Sequence, residues 1–185
     1  SNNANLYLGG SPWYNTALSN MDDVRLFGYA LNDDQVLELT PACEASGLIS
    51  ASYWHDVPGG NVDNIPLNKT PNEQTLLPLF ETPSNTRDNY AARVSGYLCP
   101  PVTGEYTFWI ASDDNGELYI SSDEKPENKV MVAHVPGWTA SRQYDKYAAQ
   151  RSVKISLVAG QKYYVEALMN EGGGGDNLSV GWQLP

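Results

Sequence analysis

The residues best suited to chemistry are two adjacent carboxylates, Asp113-Asp114, set in Thr107-Phe108-Trp109-Ile110-Ala111-Ser112-Asp113-Asp114-Asn115-Gly116-Glu117-Leu118-Tyr119-Ile120. Strand-like runs flank the pair, and successive side chains of a strand point to opposite faces. Both carboxylates can therefore serve one site only where the backbone between them leaves strand geometry. As a bare dipeptide the pair also fits a solvated acidic hairpin turn. The second candidate is Glu171-Gly172-Gly173-Gly174-Gly175-Asp176-Asn177. It too could be a flexible connection, but four consecutive glycines are costly to order, and a two-residue turn would close the same hairpin. Glycines let backbone carbonyls converge on a ligand, and Asp176 adds an anionic oxygen.

Taken together, the two stretches suit Ca²⁺, which takes about 6–8 oxygens from carboxylates, carbonyls and water. Asp113, Asp114, Asp176 and one or two carbonyls of the glycine loop supply about five or six. The rest would fall to water or to hydroxyl groups of a ligand. An EF-hand starting at Asp113 would put Leu118 where that loop requires glycine. Magnesium, with its small octahedral shell and retained waters, is the less natural occupant. A third feature is Trp138 in Val135-Pro136-Gly137-Trp138, which could stack on a sugar face or simply pack.

Catalysis finds no footing. A glycosidase needs two carboxylates about 5–9.5 Å apart across the scissile bond, which neighbours converging on one ion cannot provide. There is no nucleophile elbow, no Ser-His-Asp order and no phosphate-binding loop followed by lysine. His55 and His134 are scattered, and Cys43 and Cys99 form no Cys-x-x-Cys pair, which argues against zinc. Spacing leaves open whether the two cysteines are bridged. With 22 acidic against 11 basic residues, a net charge of −11, the chain repels nucleic acid and anionic membrane. No apolar run approaches the ~20 residues of a membrane span.

The elements that must position these groups are short and β-rich. Alternation and turn signals place strands at Ile49 to Val57, Thr75 to Phe80, Tyr90 to Leu98, Gly104 to Ala111, Glu117 to Ser121 and Val130 to His134. Three more surround Ile155, Tyr163 to Leu168, and Leu178 to Leu184. Tyr106, Phe108 and Ile110 share one face of the strongest strand. Roughly nine strands fit an all-β antiparallel sandwich or flattened barrel. Residues 1–40 are a separate piece with two strands, at Leu6 to Gly10 and Met21 to Phe27, and a short amphipathic helix from Leu31 to Leu39. The start reads as mid-domain, and the expectation is one module of a longer multi-domain polypeptide.

Two resemblances sharpen this reading. Residues 1–40 resemble the C-terminal end of a laminin-G/concanavalin-like jelly roll. Residues 45–185 resemble the bacterial branch of the PA-14 domain family, shared with flocculins and other adhesins. The latter rests on Tyr90 to Leu98, Pro101 to Leu118, Pro136-Gly137-Trp138 and Glu171 to Trp182. The resemblance implies a β-sandwich of the PA-14 type in which two aspartates joined by a cis peptide bond hold Ca²⁺, and the ion holds vicinal sugar hydroxyls. Asp113 and Asp114 match that pair. The second loop corresponds to Gly173, Gly174, Gly175 and Asp176, with Gly174 and Asp176 as metal ligands. Trp138 joins the ligand-contacting positions on its own chemistry, as a ring able to stack on a sugar face. The expectation is thus a non-catalytic, calcium-dependent lectin module of a large extracellular or cell-surface adhesin, binding glycans. The alternatives are a targeting module of a secreted polysaccharide-degrading enzyme and a structural spacer.

Overall fold

The computed structural model describes Cys43 and residues 47–185. The expected strands and helix of residues 1–40, and the jelly-roll end drawn from them, lie outside the described residues. Among these residues nine strands form: β1 (Ile49–His55), β2 (Glu73–Leu77), β3 (Tyr90–Leu98), β4 (Gly104–Asp113), β5 (Asn115–Ser121), β6 (Lys129–Val135), β7 (Ile155–Leu157), β8 (Tyr163–Glu171) and β9 (Asn177–Gln183). The only helical pieces among the described residues are three 3₁₀ turns of three residues each. No helix there is long and apolar enough to cross a membrane.

The strands build two antiparallel sheets, one of six strands in the order β2-β1-β3-β8-β5-β6 and one of three in the order β7-β4-β9. Period-two alternation decides which face of each strand turns inward. Tyr106, Phe108 and Ile110 of β4 are buried against Ala92 and Val94 of β3, Leu118 and Ile120 of β5, and Val165, Ala167 and Met169 of β8. That is the all-β sandwich expected from the sequence. The outer face of the larger sheet has a small core of its own. There Trp54, Ala91 and Leu168 are covered by Val57, Val62 and Ile65 from the β1–β2 connection.

Two departures from the sequence reading bear on the site. Phe80 is not in β2 but lies beyond it, and its carbonyl accepts a hydrogen bond from the Val180 amide. The backbone there borders β9, because Glu81 bridges Ser179. More important, neither acidic stretch closes a hairpin. β4 pairs with β7 and β9, whereas β5 pairs with β6 and β8. The chain therefore leaves one sheet and enters the other at Asp113-Asp114. It makes the reverse switch between β8 and β9, through the glycine loop. A hairpin would have placed the carboxylates on a single sheet edge, but two sheet-switching connections put them over the gap between the layers.

A disulfide joins Cys43 to Cys99, with Cα atoms 5.4 Å apart and a sequence separation of 56. A closed loop of that length removes chain entropy from the unfolded state worth about 4 kcal/mol.

Candidate metal centre

The two connections lie side by side because of strand register. Asp113 is opposite Asn177 in the β4–β9 ladder, and Glu171 is opposite Tyr90 in the β3–β8 ladder. Asn115 is opposite Asn170 where β5 meets β8. The last residue of β8 is thereby brought to the turn between β4 and β5. The Asp113-Asp114 peptide bond is cis, as the resemblance implied. Ser112 fastens that turn. Its hydroxyl donates to the Asp114 carbonyl at 2.8 Å, and its amide donates to Thr139 Oγ1 at 3.0 Å. A side chain at Gly116 would run into Ser112 Oγ and crowd the Leu168 carbonyl, so this approach of β5 to β4 requires glycine.

Oxygen atoms of Asp113, Asp114 and Glu171 all lie within 4.8 Å of one another. Glu171 has no exposed surface, and neither of its carboxylate oxygens has a hydrogen-bond partner. Desolvation, followed by the charges of Asp114, Asp113, Asp176 and Asp88, pushes its carboxyl up to about 7. Desolvation and then the Asp114 charge push Asp113 up to about 6, partly opposed by Lys146. Asp114 Oδ2 accepts the Gly172 amide at 3.1 Å, which ties the acidic turn to the base of the glycine loop. Three converging carboxylates repel one another, and the fully buried one has no donor to either oxygen. A divalent cation could satisfy such a set.

The other expected residues lie in the glycine loop and, for Trp138, beside Thr139. Asp176 is buried. Its Oδ2 accepts the Thr86 amide at 2.6 Å, the Thr86 hydroxyl at 3.1 Å and the Arg87 amide at 2.9 Å, while Oδ1 is buried without a partner. Gly175 lies against the turn: a Cβ there would be 3.7 Å from Asp113 Oδ2. Gly174 has φ +115°, which favours glycine. Its amide donates to Asp88 Oδ1 at 3.1 Å, and Gly173 also borders Asp88. Trp138 is half-exposed, next to Thr139, whose amide donates to the Ser112 carbonyl at 2.8 Å. One face of its ring carries Lys146 Nζ, 3.1 Å from the centroid, which also donates to the Trp138 carbonyl.

Among the residues that escaped the sequence reading, three border the glycine loop. Glu171 stood there only as the flank of the loop, and Asn177 as its end. Asn177 Nδ2 donates to the Thr139 carbonyl at 2.9 Å, which leaves Oδ1 buried and unpaired. The third is Gly59, in a turn far away in sequence. A Cβ at Gly59 would overlap Gly172 Cα and crowd its amide, so two backbones cross here with no room for a methyl group. Gly59→Ala is expected to push the base of the glycine loop outward. The cost should be about 1–3 kcal/mol, measured by denaturant melts, with weaker metal binding alongside.

Residues 44–185 match the sequence profile of the PA14 domain. The chain belongs to the PA14 domain family. Among curated relatives, mouse N-acetyl-beta-glucosaminyl-glycoprotein 4-beta-N-acetylgalactosaminyltransferase 1 is 31% identical over 149 residues, covering 76% of this chain and 14% of that protein. Mouse fibrocystin-L is 38% identical over 85 residues, covering 46% of this chain and 2% of that protein. The chain thus spans a small part of each. Among solved structures, the PA14 domain described here is similar to the epithelial adhesin 9 A domain of Candida glabrata, crystallised with Galb1-4GlcNAc. The TM-score is 0.54 at 14% identity, covering 78% of this chain and 86% of that one. An anti-sigma factor domain-containing protein from Clostridium clariflavum gives 0.51 at 22% identity, covering 74% and 42%. At such identities the likeness establishes the fold. The curated relatives named here are mammalian, and the bacterial branch drawn from the sequence gains no support from them.

Proposed function

We propose that this PA14 domain is a calcium-dependent carbohydrate-binding module. The observation that carries the reading is the convergence of Asp113, Asp114 and Glu171 within 4.8 Å, with both Glu171 oxygens buried and unpaired. These carboxylates would hold the ion. Asp176 Oδ1 and Asn177 Oδ1, also buried without partners, are further oxygens available to it, along with backbone carbonyls of Gly173 to Gly175. When bound, Ca²⁺ supplies a Lewis-acidic centre whose open positions accept neighbouring hydroxyl groups of a sugar. The protein's own part is to fix the carboxylates in advance through Ser112, the Gly172 amide and the two ladders. Trp138, half-exposed beside the acidic turn, would give the sugar an apolar wall.

The module is non-catalytic in this reading, because its carboxylates converge on one point instead of straddling a bond. The Candida adhesin domain of the same fold was crystallised with a galactose-containing disaccharide, which supports a glycan as the ligand class. The disulfide fits an oxidising compartment, so the parent protein would work outside the cell or on its surface. An adhesin with many weak contacts would gain strength from repetition. The transferase relative favours a second context, in which the same module directs a carbohydrate-processing enzyme to its substrate.

A glycan array probed in millimolar Ca²⁺ and again in EDTA tests the proposal. Binding in Ca²⁺ that vanishes in EDTA is expected. Binding indifferent to EDTA, or no binding in either buffer, overturns it; the second result would point to a structural spacer.

A further inference from the structure

The glycine loop does not stand alone. The segment before β3, Asn85 to Asn89, runs alongside it and bonds to it at three levels. The Asn89 amide donates to the Gly172 carbonyl at 3.1 Å, at the base of the loop. Asp88 Oδ1 receives the Gly174 amide at 3.1 Å, at its middle. The Asn85 amide donates to the Asp176 carbonyl at 3.0 Å, at its far end. There the Thr86 and Arg87 groups also occupy Asp176 Oδ2. A cradle of two successive amides and a hydroxyl on one carboxylate oxygen fixes the orientation of that carboxylate. Two of the cradle segment's own residues, Asn85 and Asn89, sit at φ +56° and +53°. Asparagine is among the side chains that tolerate this region.

Four consecutive glycines would otherwise sample many conformations, and an ion that had to order them on binding would bind correspondingly weakly. Fastening the loop beforehand removes that cost. We infer that Asn85–Asn89 is a positioning segment that orders the glycine loop before any ion arrives, with Asp88 and Thr86 as its positioning residues. Asp176 thus has a divided role, with Oδ2 held by the segment and Oδ1 left for the site. The inference rests on the metal-binding reading for its consequence, but the ordering itself can be measured without metal.

The test compares Asp88→Ala with Asp88→Asn by amide hydrogen exchange on metal-free protein and by calcium titration. Asp88 is on the exposed rim, so both variants should fold. Alanine removes the acceptor for the Gly174 amide, whereas asparagine keeps an acceptor oxygen and loses only the charge. Exchange at Gly173 to Gly175 should quicken about tenfold in Asp88→Ala, with strand amides unchanged. Calcium affinity should fall about tenfold, the lower end of what outer-shell partners of a metal site contribute. Asp88→Asn should behave like the parent in exchange and stay within about twofold in affinity. Thr86→Val should shift both readouts in the same direction as Asp88→Ala, and Thr86→Ser should restore them. Unchanged exchange in Asp88→Ala overturns the inference, as does faster exchange at unchanged affinity. A loss in Asp88→Asn equal to that in Asp88→Ala also overturns it, since charge and not the hydrogen bond would then be responsible. If the parent binds no calcium at all, the proposed function fails, and the exchange data alone decide whether the segment orders the loop.

Discussion

Asp114→Asn is expected to lower calcium affinity at least about 100-fold, beyond what loss of an outer-shell partner usually costs, and to abolish calcium-dependent glycan binding. The substitution is chosen because it isolates charge. The new side chain keeps an oxygen that can accept the Gly172 amide, now bonded to Asp114 Oδ2 at 3.1 Å, so the tie between the acidic turn and the glycine loop survives. What disappears is one of three carboxylates packed within 4.8 Å. In metal-free buffer the same change relieves repulsion, and the variant should melt at or above the parent temperature. A variant that is more stable without calcium yet blind to it identifies a metal site. Loss of binding through misfolding would instead lower the melting temperature in both buffers. Asp114→Ala should lose binding as well, but with some loss of stability, because the acceptor for Gly172 goes too.

Glu171→Gln should have the largest effect on stability, and its sign depends on metal and pH. Burial and the surrounding aspartates raise the Glu171 carboxyl to about 7 and the Asp113 carboxyl to about 6. A raised carboxyl binds a proton in the folded state at pH values where the unfolded chain has already released it. The metal-free protein is therefore favoured on the acid side of that window and loses stability as pH rises from about 4 to about 7. Glutamine removes the charge, and its amide group can donate to the neighbouring aspartates. Metal-free Glu171→Gln should gain about 1–3 kcal/mol above pH 7, the cost of an unsatisfied buried acceptor, or several degrees in Tm. The acid-side slope should flatten. In saturating calcium the order reverses, since the parent gains stability from the ion and the variant does not. Protons compete with the ion for the same oxygens, so calcium affinity in the parent should fall as pH drops below about 7. Thermal melts at pH 5 and pH 8, with and without calcium, read all of this. A variant no more stable than the parent in EDTA at pH 8 would show that the buried charge is compensated in some other way.

The sequence made the sandwich legible because alternation is a local signal. Tyr106, Phe108 and Ile110 announced the buried face of β4, and Tyr90–Leu98 was bounded correctly at both ends. Errors at strand ends were small, as at Phe80, where pairing with β9 is a long-range event that no local pattern encodes. The Asp113-Asp114 pair stood out by composition, and the family resemblance supplied its cis geometry. Glu171 did not stand out. Its significance comes from burial at the end of β8 between β3 and β5, and a glutamate at the end of an apolar strand looks the same whether it faces solvent or a metal. Gly59, Thr86 and Asp88 were invisible for the same reason, since each matters through a contact with a segment about 90 or more residues away. Four consecutive glycines stand out in the sequence, but what holds the loop is written elsewhere in the chain. That the two acidic stretches switch sheets instead of closing hairpins follows from strand pairing and could not be taken from either stretch alone.

In the proposed site one divalent ion completes the carboxylate trio. Isothermal titration of calcium into chelator-treated protein at pH 8 tests it most directly, carried to about 10 mM because extracellular modules hold calcium at about 10⁻⁴–10⁻³ M. One site per chain and a rise in Tm with calcium are expected. At a hundredfold excess over the dissociation constant, the ion would add about 2.7 kcal/mol. No heat of binding and an unchanged Tm at about 10 mM calcium, about tenfold above the weak end of that range, would contradict it.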